Sequence, residues 1–453
     1  MFLYMTIFLL CIYFQAERGI FDFLSYLKLF RELKLNPCKN GSPKKQTLFI
    51  LIPVLCEQLI IEDTILNLFK IKNSDFEIKI AIITSIKEKI STDKKFPTTE
   101  EIILKSMESG PLTKNKDRIY IFQDPTLVGN IATQLNFGIK KIKAFVQPNT
   151  FYIVYNADSI ISENTFKKLS KLIQQYHGKE FAFQQPCAFI RDMSPTTNQF
   201  TNALSLYQSW YCLGHESRLI RNYEAEIKKH HDKNNNTKLG VIIGHGSGMT
   251  LNINTSNGGY PSDLLTEDLT FGFILSTNNV PILSLPALEL ADVPNNFATF
   301  IKQRSIWFWN IIGYTSCYNK MREQRHPRSQ LILLLLEGMG AGAYWFFDAF
   351  FIIIPFLISI AMKSYLIALF SFISIVVFYI VPQYFLLKKM PEILQDQGFP
   401  DFAQKIKNVS FSKLLPSLFL IILTNSVGPW ITTIKSINYL FTKKLPIKYK
   451  TCD

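Results

Sequence analysis

The stretch FYIVYNADSI, residues 151–160, runs five aromatic and branched residues into Asn156, Ala157, Asp158 and Ser159. Such a run reads as a buried strand, and a carboxylate at the exit of a buried strand is costly unless something uses it. Asn, Asp and Ser also bond readily to their own backbone in turns. Taken alone, the segment leaves a plain turn and a ligand-bearing turn both open.

Its neighbours narrow the choice. TLFILIPVLCEQ (47–58) is a buried-strand pattern ending near Glu57, LIIEDTILNLFK (59–70) repeats apolar residues at helical spacing, and FEIKIAIITSI (76–86) is a second strand. DRIYIFQD (117–124) reads as a third strand and NIATQLNFGIKKIKAF (130–145) as a helix before the 151–160 stretch. Strands alternating with helices predict an α/β domain with a mostly parallel, helix-covered sheet. Ligands of such sheets sit beyond the carboxyl ends of the strands. Asn156 to Ser159 falls at that edge, and Asp and Asn oxygens are hard donors suited to Mg2+ or Mn2+ that also holds phosphate oxygens.

The chain is 453 residues long and 48% hydrophobic, with a mean hydropathy of +0.12, which is high for a purely soluble protein. The excess lies at residues 1–15 and beyond about 330, which divides the chain into an N-terminal anchor (1–16), a domain at 17–328 and a C-terminal membrane region (329–453). Residues 344–362 and 364–386 each approach the ~20 apolar residues that a membrane-crossing helix needs. A third segment, 414–434, is interrupted by Asn425, Gly428 and Pro429. Transmembrane helices are therefore expected at both ends. Arg18, Lys388 and Lys389 place the middle region on the cytoplasmic side of the inner membrane.

The net charge of +14 comes from lysines dispersed among Ile, Asn and Phe, so the expected partners are membrane lipids or phosphorylated substrates and no nucleic acid. Seven scattered cysteines with no Cys-x-x-Cys pair argue against a disulfide framework or a structural zinc site.

Four stretches together resemble the membrane-embedded, polysaccharide-synthase-like branch of the family 2 glycosyltransferases, which carry a GT-A fold. LIPVLCEQ looks like the family's first strand and acidic turn, YNADS its Asp-x-Asp element, LLTEDLTFGF its Thr-Glu-Asp motif, and KQRSIWFWN its Gln-x-x-Arg-Trp motif. The resemblance implies a GT-A nucleotide-sugar-binding domain and an inverting, metal-dependent transfer to a glycan or lipid-linked acceptor. Residue by residue, it implies that Pro53, Glu57, Asn156 and Asp158 bind the donor. Asp158, helped by Asn156, would hold the metal. Asp268 would be the general base, with Glu267 beside it in the catalytic pair. Gln303, Arg304 and Trp307 would face the acceptor; at four residues apart, Gln303 and Trp307 share a helical face.

Three positions depart from the pattern. Asn156 replaces the first Asp, the second strand ends in IITSIKEK where many relatives place acids that bind uracil and ribose, and Ile306 stands where the motif has Arg. The glycine-rich VIIGHGSGMTLN (241–252) allows close backbone approach to a sugar or phosphate, with His245 as a candidate contact to the acceptor or the metal site, and a plain glycine-rich turn with an incidental His stays equally open. Gln184 and Gln185 either reach the acceptor or mark a strand edge. The 228–238 run, with adjacent histidines, has the composition of a solvated loop. Two alternatives remain open at this stage: a synthase loading sugar onto a polyprenyl phosphate, and a catalytically silent nucleotide-sugar-binding membrane protein.

Overall fold

A computed structural model describes residues 2–34, 46–73, 75–91, 97–229, 237–264 and 266–442. The basic stretch at 36–45, most of the 228–238 run and the C-terminal lysines from 443 onward lie outside them.

Among the described residues nine strands form in chain order: β1 (Gln46–Pro53), β2 (Phe76–Ser85), β3 (Ile119–Asp124), β4 (Phe151–Val154), β5 (Ala182–Gln184), β6 (Cys187–Ala188), β7 (Ser247–Thr250), β8 (Ile282–Ser284) and β9 (Glu289–Leu290). Seven make one sheet in the order β3-β2-β1-β4-β7-β5-β8, while β6 and β9 pair separately. All pairings in the large sheet are parallel except those of β7, which runs against both β4 and β5. This is the mostly parallel α/β architecture that the alternating pattern predicts.

The period-two geometry of a strand explains why β1 is apolar almost throughout. Phe49 and Leu51 point to one face, joining Leu135 and Ile139 of the Ile131–Lys143 helix and Phe271 and Leu275 of the Glu267–Thr277 helix. Leu48, Ile50 and Ile52 point to the other, joining Ile65 of the Ile61–Lys70 helix and Phe166 and Leu169 of the Glu163–Gln175 helix. One strand therefore anchors two cores.

β7 needs glycine at 248. A Cβ there would sit 2.6 Å from the Tyr152 carbonyl oxygen on β4 and would also strike the Phe183 ring on β5. Only a residue without a side chain lets the reversed strand fit between its two neighbours.

Three described helical segments are long and apolar enough to cross a membrane: Arg328–Ala361, Tyr365–Asp396 and Phe411–Asn438. All are C-terminal, which corrects the expectation of such helices at both ends. The N-terminal helix runs Phe2–Lys34, well past residue 16, and its apolar run stops at Glu17 and Arg18. It packs antiparallel along Arg328–Ala361: Phe8 meets Ile358, Phe14 stacks on Phe351, and Arg18 Nη1 lies 3.3 Å from Asp348 Oδ2. The third apolar segment breaks at Asn425 and Ser426, and the break is hydrogen-bonded. Asn425 Nδ2 donates to Asp348 Oδ2 (3.3 Å), Trp345 Nε1 donates to the Asn425 carbonyl (3.0 Å), and Ser426 Oγ donates to the Trp345 carbonyl (2.9 Å). Irregular backbone at this depth is tolerated because protein groups satisfy it.

Among the cysteines, Cys11, Cys187, Cys212 and Cys317 are buried free thiols. Cys56, at φ 59° in the turn after β1, is held in a disulfide, which the scattered spacing did not suggest.

Asp348 is fully buried and is met by Arg18, the Tyr379 hydroxyl (2.9 Å) and Asn425. Removing one member of such a pair strands a buried charge at a cost of about 3–5 kcal/mol. Arg18→Met is expected to lower the thermal midpoint of the detergent-solubilised protein, and Arg18→Met/Asp348→Asn to recover part of the loss. A double variant no more stable than the single one would show that the charge pair does not fasten the N-terminal helix.

Candidate active site

Because β1, β2, β3 and β4 run parallel, their carboxyl ends open onto one edge. A cavity of about 620 Å³ lies there. Its sheet side is made by Pro53 and Glu57 after β1, Ser85 and Lys87 after β2, Asp124 ending β3, and Asn156 and Asp158 after β4. Lys302, Gln303, Ile306 and Trp307, from the Phe297–Trp307 helix, close the opposite wall. The glutamine and tryptophan four residues apart do share the face that the sequence spacing gives them. Ile306, where the motif has Arg, lines the same wall.

The polar exit of β4 has two functions. Asn156 N–H donates to Ser159 Oγ (3.1 Å), and Ser159 Oγ donates to Glu289 Oε1 (2.5 Å), so the turn is bonded through its own residues and to a buried acid on β9. Asp158 stays at the cavity wall. Its Oδ2 accepts from the Asp292 N–H (3.3 Å), and its carbonyl accepts from Arg191 Nη1 (3.0 Å). Arg191 also pairs with Asp292 at 3.2 Å. Burial pushes the Asp292 carboxyl up to about 7, against the opposing pull of Arg191 and with the support of Asp192 and Asp158. Asn156 and Asp158 offer the hard oxygen donors that a divalent cation takes, while the Glu57, Asp124 and Asp158 carboxylates that share this cavity do not gather as a group within 4.8 Å of one another.

Asp268 is in the first turn of the Glu267–Thr277 helix. Its Oδ2 accepts from Gly244 N–H (2.8 Å) and its Oδ1 from Leu269 N–H (2.8 Å). The 244–246 turn is in turn fastened to the sheet: Gly246 N–H donates to the Val154 carbonyl (2.8 Å) and Gln185 N–H to the Gly246 carbonyl (2.7 Å). Asp268 is thus held by a turn bonded to the last residue of β4, two positions before Asn156. Asp268 itself is not part of the 620 Å³ lining.

His245, between those glycines, places Nδ1 3.1 Å from Glu289 Oε2. Burial alone would lower its pKa, but the charge and hydrogen bond of Glu289, with Asp158 and Glu216 adding, push it up to about 9. Cys187, His245 and Glu289 bring ligand-type atoms within 4.8 Å of one another. Burial and Glu289 push the Cys187 thiol well above its ordinary value. The group reads as an imidazolium–carboxylate pair capped by a thiol. Gln184 Oε1 accepts from Ile243 N–H (2.8 Å), and Gln184 Nε2 donates to the His245 carbonyl (2.9 Å), while Gln185 bonds Tyr155 and Thr165. The Gln184 amide thus holds the turn, and the Gln185 amide ties β4 to the Glu163–Gln175 helix.

Glu267 is 4% exposed, tucked beneath the helix start. Arg304 is 2% exposed; Nη2 donates to Gln208 (3.2 Å) and the guanidinium lies over the Phe300, Trp307 and Trp345 rings. Neither lines the 620 Å³ cavity. Sequence reasoning did not single out Lys87, Lys302, Asp124 or Glu289. Asp124 ends a strand already read as one, and the same strand-exit rule would have found it. Glu289 sits in an apolar run with no motif, and only the fold shows its partners.

His245 binds its proton more tightly folded than unfolded, so its contribution to stability is full below pH 6.5 and is lost as pH rises towards about 9. The thermal midpoint in detergent is expected to decline over that window, and Glu289→Gln, which removes the charge that raises His245, is expected to flatten the decline. An equally steep decline in the variant would remove Glu289 as the cause.

Comparison with known proteins adds the following. The model of the family described as glycosyl transferase family group 2 matches residues 152–387, more than half of the chain. No curated protein sequence matches. Solved structures with overall likeness include a mannosyltransferase from Pyrobaculum calidifontis in complex with GDP-Man and Mn2+, at 13% identity and TM-score 0.44 over 92% of this chain and 99% of that one. TarS from S. aureus in complex with UDP-GlcNAc has 14% identity and TM-score 0.39 over 87% and 92%. Glucosyl-3-phosphoglycerate synthase from Mycobacterium tuberculosis, with Mn2+, UDP and glucosyl-3-phosphoglycerate, has 11% identity and TM-score 0.34 over 59% and 80%. The family match includes the Asn156–Asp158 turn, Asp268 and the Gln303–Trp307 wall, and on it the chain belongs to glycosyl transferase family group 2.

Proposed function

We propose that the protein is a membrane-bound, inverting glycosyltransferase that moves a sugar from a nucleotide-sugar donor to a hydroxyl of a glycan or glycolipid. The observation that carries this reading is the fastening of the 244–246 turn, whose Gly244 N–H holds the Asp268 carboxylate, to the end of β4, beside the cavity lined by Asn156 and Asp158.

The donor seats in the 620 Å³ cavity, with Pro53 and Glu57 at the first strand exit and Lys87 and Lys302 offering positive charge to the diphosphate. Asp158, with Asn156, would hold Mg2+ or Mn2+, which supplies charge stabilisation for the departing diphosphate. Asp268 takes the proton from the acceptor hydroxyl as its oxygen forms a bond to the anomeric carbon. The bond from that carbon to the diphosphate breaks on the opposite side, and one such displacement inverts the configuration. Gly244 N–H and Leu269 N–H orient the Asp268 carboxylate for this. Gln303 and Trp307 offer an amide and a ring to the sugar across the cavity, and His245 contacts the acceptor. The catalytic region at 17–328 faces the cytoplasm, with the C-terminal helices in the inner membrane.

General-base assistance is worth about 10²- to 10⁴-fold. In a screen of UDP-, GDP- and dTDP-sugars with detergent-solubilised protein, Asp268→Asn is expected to reduce transfer by that factor while donor affinity stays within about threefold. Chelation of divalent ions is expected to abolish transfer. Parental rates in Asp268→Asn would overturn the base assignment, and full activity in excess chelator would overturn the role given to Asp158.

A further inference from the structure

The donor cavity opens over β1 to β4, and β8 lies at the opposite edge of the sheet from β3. Near β8 the N-terminal helix Phe2–Lys34 meets the Glu163–Gln175 and Ser217–Lys229 helices, and a cavity of about 370 Å³ lies among the three, floored by Ser284 and Pro286. That volume is within the ~300–1,000 Å³ range of small-molecule sites. It shares no lining residue with the donor cavity.

Its lining is cationic. Lys28, Lys168, Lys171, Arg221 and Lys228 stand against only two acids, Glu32 and Glu224, and both acids are already matched. Glu32 Oε2 lies 3.1 Å from Arg221 Nη2, and Glu224 Oε1 lies 2.7 Å from Lys228 Nζ. Lys28 and Lys171 have no carboxylate partner among the described residues. Lys168 is buried, and its Nζ donates to three main-chain carbonyls, those of Leu33 (2.9 Å), Glu32 (3.3 Å) and Pro286 (2.6 Å), rather than to an acid. Carbonyls at a helix C-terminus offset part of such a charge. Burial still pushes the Lys168 ammonium down to about 8, against the pull of Glu32 and with Lys171 adding to the shift. Arg221 donates through Nη1 to the Ser25 carbonyl and hydroxyl, which leaves its buried Nε–H without an acceptor. A buried cation is costly without a counter-charge, and negative charge is what the cavity lacks.

We propose that this cavity is a second ligand site that binds a phosphate group, seated on Lys28 and Lys171 with the buried Lys168 charge behind them. A phosphate presents acceptor oxygens in several directions, which suits point-charge donors converging from two helices. The group is carried by a soluble phosphorylated compound or by a lipid headgroup, since Lys28 belongs to the helix whose first half is apolar. Its occupant pins that helix to Glu163–Gln175, which starts five positions after Asp158. The site goes beyond the transferase reading and does not depend on it.

The test uses the full chain in detergent and reads binding and thermal midpoint, so that no turnover is needed. Inorganic phosphate and pyrophosphate are titrated by calorimetry in one arm. In the other, mixed micelles carry phosphatidic acid, with phosphatidylcholine as the control. A phosphate-bearing probe is expected to bind saturably and to raise the midpoint with concentration. Lys28→Gln/Lys171→Gln is expected to weaken that binding about tenfold or more, as for loss of charged hydrogen bonds, while the midpoint without probe stays at the parental value. Lys28→Arg/Lys171→Arg, which keeps both charges, is expected to retain most of the affinity. A response to phosphate or pyrophosphate identifies a soluble ligand, and a response to phosphatidic acid alone identifies a headgroup; either supports the site when the Gln variant loses it. Absence of binding by all three anionic probes overturns the proposal. Binding undiminished in the Gln variant overturns it too, and places the anion at Lys87 and Lys302 of the donor cavity.

Discussion

The site depends on one strand running the wrong way. β7 is antiparallel between β4 and β5, so it begins where β4 ends, and the 244–246 turn that leads into it must lie at the ligand edge of the sheet. Two backbone hydrogen bonds, Gly246 to Val154 and Gln185 to Gly246, fix that turn in place. Asp268 then has a fixed donor at Gly244, and His245 a fixed carboxylate at Glu289. Glycine enforces the arrangement locally. Gly246 has φ 68°, in the left-handed region, and a Cβ there would lie 2.6 Å from Glu289 Oε2. A side chain at this position would disturb the backbone and the buried acid together.

A second consequence concerns charge. Around one sheet edge stand Asp158, Asp268, Glu289 and Asp292, a density of acids that would repel itself in water-poor surroundings. The fold distributes them. Glu289 is matched by His245, Asp292 by Arg191, and Asp268 and Asp158 by backbone N–H groups. Asp292, buried as well as crowded, holds its proton more firmly in spite of Arg191.

How much of this was legible in the sequence follows from how local each signal is. β1 to β4 were readable because long branched runs bounded by polar turns need no partner to be recognised, and the strand-exit rule then placed Asn156, Asp158 and Glu57 in the cavity. β7 was not readable as a strand: SGMT is four residues with a glycine, and its identity is set by Tyr152 and Phe183 on either side. Glu289 and the packing of the N-terminal helix escaped notice for the same reason. A buried acid carries no periodicity, and its partners come from elements far apart in the chain. The first two C-terminal apolar segments were visible by composition, whereas the partners of Asp348 within one of them, Arg18, Tyr379 and Asn425, come from three separate elements and carry no local signal.

The break at Asn425 and Ser426 has a mechanical consequence. Directly after it, Gly428 lies so close to Arg304 that a Cβ would fall 2.5 Å from the Arg304 Cβ, and Thr432 Oγ1 donates to the Ser305 carbonyl at 2.5 Å. The helix that presents Gln303 and Trp307 therefore shares a rigid seam with the last bilayer-length segment. Cutting the chain after residue 328 would free that helix from its backing, so a truncated soluble domain would keep the strand edge and lose the orientation of the facing wall. Tilt imposed on the bilayer segment by thicker or thinner lipid would be transmitted across the same seam to the spacing of the cleft.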